Sequence, residues 1–349
     1  MDTSGGKQNL TVNNKRRMRI MTKKLKVFEA FAGYGSQSMA LRNIGVNYEV
    51  VAISEIDKYA IEAYELIHGK VNNLGDISKI DVNKVPDHDL FTYSFPCTDI
   101  SLAGKQQGLV KGETRSGLLW ECQRIISAKK PKYLMMENVK NLVGKKFKGD
   151  FDTWCDWLVS QGYTNYYKVI NSLDMDIPQS RQRIFMISIL NGEKYNFPKN
   201  KTKTKVLGDF LEEQVDDKYY ISIDKIERIN NWKSYQNPFD RLIGKNSICP
   251  TLTARGAGEY HSGAIILGEC DTNKNIREEI RSNPTLVYET YKPRFLTPKE
   301  AFRLMGVSDY DYNKLSTIPE REKYKLAGNS IVVQVLEEIF KELLKEYIY

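Results

Sequence analysis

Cys97 stands in Ser94-Phe95-Pro96-Cys97, directly after an apolar run that reads as a buried strand. A thiol there lies at the carboxyl edge of the strand, where open α/β sheets bind their ligands. A lone cysteine is more often inert core, and it is the continuation that argues for a nucleophile. Gly104, Gly108 and Gly112 interleave with Lys105, Lys111 and Arg115, a composition suited to a mobile cationic loop closing over a phosphate backbone. Glu137-Asn138-Val139 follows a second apolar run, residues 132–136, which brings a carboxylate to the same edge. Buried, such a carboxylate can donate a proton; at a helix start it would merely complement the dipole. Gln179-Ser180-Arg181-Gln182-Arg183 leads into a further strand, and alternation sets Arg181 and Arg183 on one face, where they could equally be salt-bridge partners. The chemistry on offer is nucleophilic attack by a thiol, with a carboxyl group as proton donor.

A second group of residues suits a bound nucleotide-like cofactor. Phe31-Ala32-Gly33-Tyr34-Gly35 ends the first strand and opens a helix, where glycines let a ligand approach the backbone. The third glycine of a dinucleotide fingerprint is missing, yet Glu55 ends the next strand at about the distance expected of a ribose-binding carboxylate. Asp76, in Gly75-Asp76-Ile77, could hold an adenine amino group. Each glycine taken singly could be turn punctuation; three ligand-facing strand ends together fit an adenosine cofactor.

The elements that must position these groups alternate from Leu25 onward. Strands are expected at residues 26–31, 49–54, 89–93, 132–136, 166–170 and 183–189, with helices at 37–44, 58–68, 117–127 and 151–160. This predicts parallel β-α-β units, a doubly wound sheet with helices on both faces. After Phe197-Pro198 the alternation gives way to Lys-, Asn- and Gly-rich sequence lasting to about residue 293, with short strands suggested at 219–223 and 264–267. That stretch reads as a smaller, irregular second domain. Helical periodicity returns at residues 330–347, where Ile331, Val335, Ile339 and Leu343 form one stripe able to pack on the first domain.

Composition bounds the remaining possibilities. The 349 residues, 41% hydrophobic, suffice for one large domain or a large and a small one. No apolar run approaches the roughly 18 residues of a membrane helix. Charges occupy the positions where a secretory signal would be apolar, so a cytoplasmic location is expected. Five cysteines without a C-x-x-C pair, and three histidines (His68, His88, His261) outside any motif, point to a reduced, metal-free protein with structural histidines. The net charge of +8 is weak evidence for nucleic acid, because residues 1–26 contribute +7 and leave +1 for the rest. Residues 1–20 read as a disordered basic leader, either an extension without a role or a DNA-binding arm.

Taken in order, Phe31-Ala32-Gly33-Tyr34-Gly35, Pro96-Cys97, Glu137-Asn138-Val139, Gln179-Ser180-Arg181-Gln182-Arg183, residues 294–306 and Gly328-Asn329-Ser330 resemble the signatures of bacterial and phage DNA cytosine-C5 methyltransferases, the type II modification methylases. The match spans residues 26–349. The resemblance implies a Rossmann-like α/β methyltransferase sheet using S-adenosylmethionine, formed by residues 21–197 and 328–349. It implies a target-recognition domain at 198–292 and a hinge segment at 293–327. By resemblance Cys97 adds to C6 of a flipped-out cytosine, Glu137 serves N3, Arg183 holds the O2 carbonyl and Arg181 supports the site. Cofactor contacts are implied for Phe31, Ala32, Gly33, Gly35, Glu55, Ile56, Asp76, Ile77, Pro96, Leu118 and Asn329. Ser101 resembles a phosphate-contacting serine, and Lys105, Lys111 and Arg115 would also meet DNA. Thr251 and Leu252 resemble the Thr-Leu pair of the family's recognition domains, with Thr253 beside them and Arg255 reading either guanine or a phosphate. Two residues depart from the pattern: Thr98 stands where the family usually has Gln, and Ile56 where it usually has an aromatic residue.

The double-stranded DNA partner leaves alternatives in view. An NAD-dependent dehydrogenase would share the sheet and Glu55 but leave Cys97, Glu137 and Arg183 unexplained. An RNA cytosine-C5 methyltransferase of the same fold and a non-catalytic DNA-binding relative are the others, and the sizeable recognition region favours DNA. A monomer is expected, and a cognate restriction endonuclease acting independently is an open possibility.

Overall fold

The computed structural model describes residues 24–97, 100, 116–192, 194–224, 242–254, 265–266 and 282–348. The leader at 1–20 and the candidate DNA contacts Ser101, Lys105, Lys111, Arg115 and Arg255, together with Thr98 and His261, lie outside them.

Seven strands build or border the main sheet: β1 (Leu25–Ala30), β2 (Tyr48–Ser54), β3 (Leu90–Tyr93), β4 (Tyr133–Val139), β5 (Tyr163–Asn171), β6 (Gln179–Ser180) and β7 (Gln182–Leu190). Six of them form one sheet in the order β2-β1-β3-β4-β7-β5. Four helices lie between these strands, α1 (Ser36–Asn43), α2 (Lys58–His68), α3 (Leu119–Lys129) and α4 (Lys148–Ser160). The strand interiors are apolar at nearly every position because both faces are covered, and neighbouring residues go to opposite faces. Val27, Leu90, Met135 and Ile187 enter a cluster with Met39, Ala63 and Ile339. Phe28, Phe91, Met136 and Met186 enter another with Ile125, Ile126, Trp154 and Leu158. The doubly wound expectation therefore holds.

The all-parallel expectation does not. Strand β7 pairs antiparallel with both β4 and β5. The physical reason is the connection: residues 172–181 hold only a 3-10 turn (Ser172–Met175) and the two-residue β6. That is shorter than the dozen or more residues a parallel crossover needs, so the chain must turn back on itself.

The C-terminal part supplies α5 (Pro284–Tyr291), α6 (Pro298–Leu304), α7 (Asp309–Asn313), α8 (Glu320–Asn329) and α9 (Val333–Leu343). The expected stripe is buried, and α9 packs on α1, with Asn43 donating to Glu337 at 2.8 Å. Helix α6 opens with a capping box between Thr297 and Glu300. Glu300 also holds Arg294 in a buried ion pair of 2.7 Å.

In the irregular stretch the expected strand at 264–267 appears as Ile265–Ile266, pairing with Arg294–Phe295 and Leu242–Ile243. The one expected at 219–223 does not form. Asp216 accepts from Lys218 N and winds Asp217–Tyr219 into a 3-10 turn, leaving Tyr220 with a single bridge to Arg294. Leu207, Phe210, Ile243, Cys249 and Leu252 share the apolar cluster of Phe302, Leu336 and Ile339. Among the described residues, no helix is long and apolar enough to cross a membrane.

Candidate active site

Strand register decides what meets at the sheet edge. Ser54, Ala30, Tyr93, Met136 and Met186 are successive partners across β2, β1, β3, β4 and β7. The residues just past that row are Glu55, Phe31, Ser94 and Glu137. Because β7 runs the other way, the residues preceding it arrive at the same edge: Glu137 is opposite Phe185, and Val139 is opposite Arg183. The reversal overlooked in the sequence is what brings Arg183 beside Glu137 at all.

Cys97 is half-buried in the loop after β3. Two side chains fix that loop by its carbonyls: Asn138 Nδ2 donates to Phe95 O at 3.0 Å, and Ser116 Oγ donates to Pro96 O at 2.7 Å. Glu137 lies inside β4, which runs three residues beyond its expected end, and is only 7% exposed. Arg183 Nε approaches its Oε1 to 3.3 Å. Burial lifts the Glu137 carboxyl above its ordinary range, and the Arg183 and Arg181 charges restrain the rise. Burial, and next the Glu137 charge, likewise push the Cys97 thiol up, opposed by Arg183 and Arg181. The resting site therefore holds a protonated thiol beside a carboxyl group able to carry a proton.

Arg181 behaves differently from Arg183. It is 3% exposed, and its guanidinium donates to Leu252 O at 2.7 Å, Gly328 O at 2.9 Å and Ser330 O at 2.7 Å. Burial and the neighbouring Arg183 draw it down to about 9, which leaves it charged at neutral pH. Gln179 does parallel work: its Oε1 accepts from Leu252 N at 3.2 Å while its Nε2 donates to Leu304 O at 3.0 Å. Thr251 Oγ1 donates to Ser180 O at 2.5 Å, and Thr253 lies exposed just beyond. The motif around β6 thus divides its labour, with Gln179 and Arg181 holding backbone together and Arg183 facing the ionisable pair.

On the β1 and β2 side the backbone bends sharply. Phe31, Gly33 and Gly35 have φ of 56°, 57° and 81°. Gly33 N donates to Glu55 Oε2 at 2.9 Å, and Glu55 Oε1 accepts from Ile56 N and Asp57 N. A side-chain carbon on Gly33 would meet nothing, so that face is open to a ligand. On Gly35 it would come within 2.5 Å of His68 Nε2, so this glycine answers to protein packing rather than to ligand approach. Ala32 is buried, and Ile77 belongs to the core, able to meet a ligand only through its backbone. Asp76, held below the usual carboxylate range by the Ser78 hydroxyl, is half-buried, whereas Ile56, at 68%, and Asn329 are exposed. Pro96 and Leu118 are half-buried at the two ends of the Cys97 loop. His88 is buried and His68 half-buried, and desolvation pulls His68 down to about 4, in keeping with structural roles.

Several positioning residues escaped sequence reasoning. Asn73 accepts from Glu55 N at 3.2 Å and Gly75 N at 3.0 Å and donates to Glu55 O, clamping two of the candidate cofactor loops. Tyr34 OH meets Ser330 Oγ at 2.6 Å. Asn138, Tyr34 and Ser330 had a visible signal, standing inside Glu137-Asn138-Val139, Phe31-Ala32-Gly33-Tyr34-Gly35 and Gly328-Asn329-Ser330, whereas Asn73 had none. Among the described residues no group of three His, Cys, Asp or Glu side chains is arranged to hold a metal ion.

Comparison with known proteins agrees with this geometry. The model of the C-5 cytosine-specific DNA methylases matches residues 25–345. The type II methyltransferase M2.ScrFI of Lactococcus lactis subsp. cremoris is 39% identical, over 92% of this chain and 99% of its own length. The orphan methyltransferase M.SPRI of Bacillus phage SPR is 29% identical, over 93% and 98%. In structure, the Dnmt2 methyltransferase of S. pombe superposes with a TM-score of 0.73 at 23% identity, over 93% of this chain and 99% of that one, which speaks to the fold. The ordered motifs, the shared edge of the sheet and these matches lead to one assignment: the chain belongs to the C-5 cytosine-specific DNA methylase family and is a DNA cytosine-5-methyltransferase.

Proposed function

We propose that the enzyme methylates C5 of a cytosine within a specific double-stranded DNA sequence, using S-adenosylmethionine and a covalent bond between Cys97 and C6 of a base flipped out of the duplex. The observation that carries this reading is the grouping of Cys97, Glu137 and Arg183 at one sheet edge, with Arg183 3.3 Å from Glu137. C5 of cytosine is a poor nucleophile. Cys97 first releases its proton to solvent; addition of the Sγ thiolate to C6 makes the ring an enamine, and the negative charge that develops toward N3 is met by the proton of Glu137. Arg183 offsets charge at O2. Once the methyl group has been transferred to C5, loss of the C5 proton re-forms the C5–C6 double bond and expels the Cys97 thiolate. A base inside the duplex is out of reach of such a recessed thiol, hence the flip.

The residues around the first two strands fit the cofactor: an open face at Gly33, a carboxylate at Glu55, a protruding apolar Ile56 and a half-buried Asp76 kept ionised. S-adenosylmethionine bound there supplies the methyl group as an electrophile. Asn329, exposed at the last residue of α8, whose end Arg181 holds, is a further contact. Residues 198–292 are assigned to sequence recognition and 293–327 to the hinge, with Thr251 and Thr253 on the DNA side. Lys105, Lys111, Arg115, Ser101 and Arg255 remain candidate DNA contacts. We take the enzyme to be a cytoplasmic monomer of bacterial or phage origin, acting either alone or beside an independent restriction endonuclease.

A duplex carrying 5-fluorocytosine at the target tests the covalent step, because fluorine cannot leave as the C5 proton does. A denaturation-resistant adduct attached at Cys97 is expected. Its formation in undiminished yield by Cys97→Ala would remove Cys97 as the nucleophile.

A further inference from the structure

Three segments far apart in sequence meet at one guanidinium, and a fourth joins them through Ser330. Arg181 donates to Leu252 O in the candidate recognition stretch, and to Gly328 O and Ser330 O on either side of Asn329. Ser330 Oγ in turn donates to Ala327 O at 3.2 Å, so its 2.6 Å contact with Tyr34 takes the phenol as donor. Tyr34 lies between Gly33 and Gly35 in the bent loop after β1, and it is fully buried. Packing reinforces the contact, since a side-chain carbon on Gly328 would fall 2.1 Å from the Thr253 carbonyl carbon. The recognition backbone rests directly on α8's last turn.

A buried guanidinium stripped of water needs its acceptors. Arg181 retains all three only while residues 252, 328 and 330 are docked together, and the Tyr34–Ser330 bond exists only in that arrangement. We infer that the Tyr34–Ser330–Arg181 chain couples the two binding sites, so that cofactor held by the Gly33 loop and Asn329 favours docking of residues 251–254 against DNA. This rests on the proposed cofactor and recognition assignments. Coupling is reciprocal: whatever factor the cofactor adds to DNA affinity, DNA adds to cofactor affinity. Arg181 is a positioning residue here, and Tyr34 and Ser330 act through it.

The test uses the full chain, S-adenosylhomocysteine as cofactor probe and a duplex bearing the sequence found methylated in DNA of the expression host. Affinity for the probe is measured by calorimetry with and without duplex. The native enzyme should show a coupling factor of about 5 to 150. Tyr34→Phe and Ser330→Ala, which spare the buried charge, should each lower that factor about two- to tenfold. The double variant should lose no more than either single one, because both remove the same bond. A native-sized factor in Tyr34→Phe, or losses that multiply in the double variant, overturns the inference, as does a native factor of one. Failure of the native enzyme to bind the probe at all would instead overturn the cofactor assignment on which it rests.

Discussion

The two halves of the sheet edge are built from different materials. At β1 and β2 the groups that shape the site are backbone: Gly33 N, Ile56 N and Asp57 N around one carboxylate, with Asn73 clamping the loops from behind. At β4 and β7 they are ionisable side chains taken out of water, Glu137 and Arg183, acting on the thiol of Cys97. The first arrangement holds a shape, with three backbone N–H groups converging on one carboxylate. The second sets protonation states, and its members raise or lower one another. Changes in the first half should therefore move binding and stability, and changes in the second should move reactivity.

The largest effect is expected from Glu137. Glu137→Gln removes the proton donor and should cost roughly 10²–10⁴ in methylation rate. The same change removes a negative charge that raises the Cys97 thiol, so thiolate forms at lower pH and alkylation of Cys97 by iodoacetamide, followed by mass spectrometry, should speed up. Arg183→Ala should slow methylation by about 10²–10³. Here alkylation should become slower, because a charge that lowers the thiol is lost. Alkylation that moves in the same direction in both variants would end the account of opposed charges.

A smaller effect, confined to the other half, is expected from Asn73→Ala. It deletes three hydrogen bonds, each worth about 0.5–1.5 kcal/mol, and should weaken S-adenosylhomocysteine roughly tenfold while leaving Cys97 alkylation unchanged. The glycines divide in the same experiment. Gly33→Ala meets only the strain of a left-handed residue, about 1–2 kcal/mol. Gly35→Ala adds a clash with His68 and Tyr64, so its thermal midpoint should fall further below the native value than that of Gly33→Ala. Equal midpoints would show that the His68 contact yields freely.

What could be read in the sequence was local. Helix boundaries such as Lys58–His68 and strand ends such as Ser54 and Tyr93 came from periodicity and caps, and the motif residues fell at those ends. Strand direction is not written in periodicity, because an antiparallel β7 alternates just as a parallel one would. The signal that could have found it was the short run between β5 and β7. Partner choice was also invisible: Asn73, Ser116 and Tyr34 are ordinary loop residues until the fold sets a carbonyl or hydroxyl opposite them. Arg181 and Arg183 share a motif and a residue type, and only their surroundings divide them into a holder of backbone and a neighbour of the acid.

The smallest effect concerns Ile56. Its side chain is 68% exposed at the end of β2, which an isolated isoleucine in water gains nothing by, and it directly follows the carboxylate that Gly33 orients. Covering it with the flat face of an adenine would bury apolar surface without any polar cost. An aromatic ring at that position would cover more surface and add offset stacking worth about 0.5–1.5 kcal/mol. Ile56→Trp should therefore tighten S-adenosylhomocysteine by about two- to tenfold. It should leave Cys97 alkylation as it is, since residue 56 lies on the half of the edge that does not set the thiol's charge. Isothermal titration of the two proteins under one buffer condition measures the difference. Unchanged or weaker binding in Ile56→Trp would mean that the base does not lie against residue 56, and that the exposed isoleucine has another neighbour.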